Sequence, residues 1–188
     1  MAIEKLYTVE EFEAYVARPE NDDKRFELIH GEIIEKMPTL LHAWIVMILG
    51  HAIMNFLDKN PIGWALPEAR YSMPDDDEND RIPDLSFIAT DKGPLINQSP
   101  APFIPDLAVE VQSPKQSQRE LREKAAYYLL NGTRLVWIIY TDNPRVDVLK
   151  PGQPTYTVGM NDMLDGGDVL PGFELEVKAL FVKAAGGN

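Results

Sequence analysis

Leu107-Ala108-Val109-Glu110-Val111-Gln112, closed by Ser113-Pro114, is the stretch on which the fold turns. Read as a strand, it sends Leu107, Val109 and Val111 to one face and Ala108, Glu110 and Gln112 to the other. Ser117 with Glu120 forms a capping-box pattern, so a helix opens there, and Asn131-Gly132 ends it. Arg134 to Tyr140, with Leu-Val-Trp-Ile-Ile inside it, reads as a second buried strand. Strand, helix and strand in that order predict a parallel βαβ unit, and with it an α/β fold.

Working outward toward the N-terminus, Ile82 to Ala89 reads as a strand ending near Thr90, and Trp64 to Tyr71 as another. Between them runs the acidic loop Pro74-Asp75-Asp76-Asp77-Glu78-Asn79-Asp80. It lacks the turn glycine and the closing glutamate of a calcium loop, and is expected to be solvated. Leu40–Leu57 is predicted to be one long apolar helix, stopped by Asn60-Pro61-Ile62-Gly63. Before it, Arg25–Ile29 and Glu32–Glu35 flank His30-Gly31 as a hairpin. Thr8 with Glu11 starts a helix to Ala17, with Val9, Phe12 and Val16 as its apolar stripe. Beyond the βαβ unit, short β-like runs are expected at Val146–Leu149, Thr155–Val158 and Phe173–Val177. No linker divides residues 1–188, so a single domain is expected.

Composition narrows the chemistry. With 188 residues and 45% hydrophobic content the chain can bury a substantial core. Cysteine is absent, which excludes disulfides, a thiolate nucleophile and thiolate-bound zinc. The three histidines are His30, His42 and His51, too few and too scattered for an imidazole zinc site. His42 and His51 are expected to be core or interface residues. Any metal should be a hard cation on carboxylates. The start of the chain lacks the layout of a secretory signal, and the Leu40–Leu57 stretch carries His42, His51 and Asn55. A core helix in a cytoplasmic protein, without membrane partners, is the expectation. That helix is also more apolar than one small sheet can cover, which points to a homodimer.

The candidate chemistry begins with Glu110. A lone carboxylate inside an apolar strand costs several kcal/mol unless it is paired or holds a metal. Gln112, on the same face, could orient a water or a neighbouring carboxylate. Asp84 follows Pro83, which is disfavoured in a central ladder, so Asp84 is expected at a strand end or bulge. Two carboxylates on neighbouring strands would suit Mg²⁺ or Mn²⁺. Leu121, Lys124, Ala125 and Tyr128 share one helical stripe, which brings the Lys124 ammonium toward the sheet that carries Glu110. Each residue also has an ordinary reading: a turn residue, an edge-strand surface residue, and a lysine at the border of a stripe.

The ordered set Arg25-Phe26-Glu27-Leu28-Ile29-His30-Gly31-Glu32-Ile33, His42, Arg81-Ile82-Pro83-Asp84-Leu85, Glu110-Val111-Gln112-Ser113-Pro114, Lys124, Tyr128, Gly132 and Val136-Trp137 closely resembles the Uma-type "putative restriction endonuclease" family. That family lies within the PD-(D/E)XK nuclease superfamily. The similarity runs nearly the whole chain, to Leu170-Pro171-Gly172-Phe173. It implies a restriction-endonuclease-like mixed β-sheet flanked by helices, with a divalent metal between sheet carboxylates. Asp84 matches the aspartate of the Pro-Asp motif, and Glu110 the acid of the second motif. The second motif's lysine is replaced here by Gln112, and the resemblance carries that role to Lys124. Glu27 stands where a further acidic site member would be.

The resemblance thus implies metal-dependent phosphodiester hydrolysis, with nucleic acid, DNA above all, as substrate. The alternative is a catalytically inactive module that keeps the fold. A net charge of −12 opposes binding to a polyanion. Lys115, Arg119, Arg122 and Lys124, against Glu120 and Glu123, offer a local basic rim.

Overall fold

The deciding strand forms as Leu107–Val111, and the helix that follows it as Gln118–Leu130. The computed structural model describes residues 5–114 and 116–181. In chain order the helices are α1 (Val9–Val16), α2 (Leu40–Leu57) and α3 (Gln118–Leu130). The strands are β1 (Phe26–Ile29), β2 (Glu32–Glu35), β3 (Gly63–Pro67), β4 (Leu85–Ala89), β5 (Leu107–Val111), β6 (Leu135–Tyr140), β7 (Arg145–Leu149), β8 (Tyr156–Gly159), β9 (Met163–Asp165) and β10 (Glu174–Glu176). The chain forms two compact units, each drawn from three segments.

The larger unit comprises Pro38–Glu68, Pro83–Leu95 and Pro105–Asn188. Its centre is a six-stranded sheet in the order β3-β4-β5-β6-β7-β8. The β5–β6 pair is parallel, as a helical crossover requires, and the other four pairs are antiparallel. The sheet is therefore mixed and flanked by helices. Leu107, Val109 and Val111 of β5 join Leu85 and Phe87, Leu135, Trp137 and Ile139 on one face. Ile45, Leu49, Ile53 and Leu57 of α2 cover that face, together with Leu170, Phe173 and Val177 near the C-terminus. Glu110 points to the opposite face, against which α3 packs. One glycine is dictated by packing: a Cβ on Gly63 would lie 2.2 Å from the Ile88 carbonyl and 2.5 Å from the Phe87 ring.

Local rules set the element ends. Thr39 caps α2 by accepting the His42 N–H at 3.2 Å. Ser117 and Glu120 close a complete capping box on α3, and Gly132 at φ 103° ends that helix. β3 stops at Pro67, followed by Glu68 at φ 48°, so it is shorter than Trp64 to Tyr71. β4 begins only at Leu85, because Pro83 has no N–H to give the ladder. The sequence reading missed β9, which pairs with β10. Only three residues long, it shows too little alternation to register.

The smaller unit comprises Met1–Met37, Ala69–Ile82 and Ile96–Ile104. Because both units are interleaved along the chain, no linker marks their boundary in the sequence. Here α1 carries the expected Thr8–Glu11 capping box. β1 and β2 pair around His30 and Gly31, both at positive φ (50° and 77°), the signature of a tight hairpin turn. Phe12, Phe26 and Leu28 form its apolar centre. The acidic loop departs from full solvation. Asn79 and Asp80 are buried, and Arg70 bonds Asp80 at 2.7 Å and Glu13 at 2.6 Å.

Candidate active site

Asp84 stands at the mouth of β4, directly across from Glu110. Its backbone N–H donates to the Val109 carbonyl at 3.0 Å. Its carboxylate Oδ2 accepts the Val111 N–H at 2.7 Å. Asp84 thus clamps the backbone on both sides of Glu110. The geometry follows from Pro83: where the regular ladder gives out, an aspartate side chain takes the strand's next donor. A second donor meets the same oxygen, for His42 Nε2 of α2 lies 3.0 Å from Oδ2.

Glu110 is held from α3. Lys124 Nζ lies 2.7 Å from Oε2, and the Tyr128 hydroxyl donates to Oε1 at 2.8 Å. Lys124 and Tyr128 are four residues apart, one helical turn, so both meet the same carboxylate. Asp84 is 2% exposed and Glu110 1%, so neither is an ordinary surface acid. Lys124, at 5%, is equally buried. An ion pair this deep gains from the low surrounding polarity, and removing one partner leaves a costly bare charge.

Gln112 occupies the place where the motif carries lysine. The hydrogen bonds of its amide run to the strand-end loops: Oε1 accepts the Thr141 N–H at 3.2 Å, and Nε2 donates to the Gln116 carbonyl at 3.2 Å. It therefore ties the exit of β5 to the exit of β6. Glu27 lies in the smaller unit, where its Oε1 accepts the Ile82 N–H at 2.8 Å. Among the basic residues after β5, Lys124 is turned inward onto Glu110. Arg119 pairs with Glu123 at 2.7 Å, and Arg122 lies 3.5 Å from Asp147. Lys115 lies outside the described residues.

His42 is the partner that spacing alone did not reveal. Nothing in the sequence distance from 42 to 84 indicates a contact; its place in the ordered motif set was its one signal. His51, by contrast, is exposed and bonds Asn55 at 2.9 Å. Beside α2 lies a groove of about 490 Å³, lined by His42, Met47, Met54, Glu68 and Asp84 among others.

The donor set fits a hard divalent cation: two buried carboxylates on neighbouring strands, with no sulfur among them. Among the described residues no group of three or more His, Asp and Glu forms a fuller cage. An ion that keeps several waters does not need one.

The family model described as "Putative restriction endonuclease", Uma2, matches residues 9–178. The chain belongs to the Uma2 family. A solved structure described as a putative nuclease of the DUF820 group, from Anabaena variabilis, is similar at 27% identity and a TM-score of 0.77. The match covers 93% of the Uma2 chain and 97% of that protein. A comparison with curated proteins finds no match. The family and the nuclease-like fold together support a nuclease reading for this Uma2 member. Divalent metals are the general rule in restriction-endonuclease-like families.

Proposed function

We propose that this Uma2 protein hydrolyses phosphodiester bonds in DNA, with Mg²⁺ or Mn²⁺ held by Asp84 and Glu110. The observation that carries the reading is the clamp of Asp84 around Glu110. It sets two buried carboxylates on neighbouring strands, with Lys124 and Tyr128 on one and His42 and the Val111 N–H on the other, an all-oxygen donor pair of the kind a hard divalent cation takes.

A divalent ion bound there would supply Lewis-acid chemistry, offsetting charge that builds on the phosphoryl group. The remaining roles belong to the chain. Asp84 and Glu110 hold the ion. Lys124, fixed on Glu110, meets phosphate charge or orients the attacking water, the part left open by Gln112. Tyr128 holds the second Glu110 oxygen and so sets its orientation. The net charge of −12 makes binding to a nucleic acid weak.

A second reading, a nuclease fold kept as a non-catalytic module, is favoured by the use of the Gln112 amide in loop contacts. Plasmid cleavage at low salt with Mg²⁺ or Mn²⁺ separates the two. The nuclease reading expects cutting by the parent and loss of at least about 100-fold in Asp84→Ala and Glu110→Ala, the scale of removing a main electrostatic element. Equal cutting by parent and variants rejects the site. Absence of cutting by a folded parent favours the module.

A further inference from the structure

His42 is buried at the first turn of α2, and its Nε2 lies 3.0 Å from Asp84 Oδ2. The oxygen it meets already accepts the Val111 N–H. Two donors from two elements therefore converge on one carboxylate oxygen, and between them they fix the torsion of the Asp84 side chain. The histidine is itself held: Thr39 caps the helix by accepting the His42 N–H at 3.2 Å. On the same face of the helix, Ile45 and Leu49 anchor α2 in the sheet core. The helix cap thus fixes the His42 backbone, and the ring reaches the carboxylate.

A carboxylate acceptor at 3.0 Å calls for a proton on Nε2. An aspartate with free torsion would sample several rotamers and lose entropy on holding an ion. An aspartate already clamped loses little, which raises affinity without adding a ligand. We infer that His42 is the positioning residue that pre-orients Asp84 for a divalent cation. It acts through Asp84 and is not itself a ligand or a group that touches substrate. The inference rests on the metal reading of Asp84.

Mn²⁺ titration calorimetry on the full chain tests it, with parent, Asp84→Asn, His42→Ala and His42→Gln. Chemical denaturation of each confirms a folded protein. The expected result is binding by the parent, loss in Asp84→Asn, and affinity 10- to 100-fold weaker in His42→Ala, the usual scale for groups behind a metal ligand. His42→Gln, whose amide N–H can also reach a carboxylate, should recover part of that loss. Parent-like affinity in a folded His42→Ala overturns the inference while leaving the metal site standing. No Mn²⁺ binding by the parent overturns both. In the metal-free parent, long-range ¹H–¹⁵N correlation spectra should show the His42 proton on Nε2. A proton on Nδ1 alone contradicts the proposed bond whatever the metal does.

Discussion

At the scale of single residues, the buried pair of Glu110 and Lys124 is the most exposed to test by mutation. Lys124→Met keeps the apolar stem and removes the ammonium, leaving Glu110 buried with Tyr128. Breaking a buried pair from one side costs about 3–5 kcal/mol. Urea denaturation should show a loss of that order, and Lys124→Met with Glu110→Gln together should recover much of it. If the single variant is as stable as the parent, the pair is not as deeply held as its burial implies. These residues also show what a sequence can disclose. Glu110 was legible because a charge in an apolar strand is anomalous, and Lys124 because helical spacing put it on the inward stripe. The contact of His42 with Asp84 was not, because the two lie in different elements, and periodicity within one element says nothing about contacts between two.

At the scale of elements, ends are governed by caps, and caps titrate. Ser117 bonds hold the Glu120 carboxyl below its ordinary value of 4.5. A depressed carboxylate stabilises above its unfolded value and loses that contribution as pH falls through the folded one. Ser117→Ala should cost about 1 kcal/mol at neutral pH by urea denaturation, with a smaller difference from the parent once pH drops below the glutamate range. Asp80, in the smaller unit, has the opposite sign. Burial raises its carboxyl above 3.8, against the pull of the Arg70 guanidinium beside it. A raised acid favours the protonated folded form, so its contribution falls as pH rises through the window above 3.8. Asp80→Asn should flatten that part of the stability profile; an unchanged slope would show that Asp80 does not shift on folding. Helices and the long strands were read well because their caps and patterns are local. The strand at Met163–Asp165 and the late start of β4 were not, since both depend on which neighbour supplies the ladder.

At the scale of the whole molecule, α2 presents a row that its own unit does not cover. Leu40 is 92% exposed, Met47 68% and Met54 48%, at seven-residue intervals along one side of the helix. We propose a second copy of the chain as the partner for this row, since a stripe at that spacing suits helix against helix. Light scattering should give a dimer for the parent and a monomer for Met47→Glu; a monomeric parent would dismiss it. The order of motifs along the chain was legible from end to end, and so the family was. The two interleaved units were not, because a boundary crossed several times leaves no change of composition at any one point.

The proposed chemistry requires Asp84 and Glu110 to share one cation. A crystal soaked in Mn²⁺ and measured at the manganese edge tests this most directly. An anomalous peak in contact with oxygens of both carboxylates is the predicted result. Carboxylates left on His42, Val111, Lys124 and Tyr128 alone, with no peak between them, would contradict it.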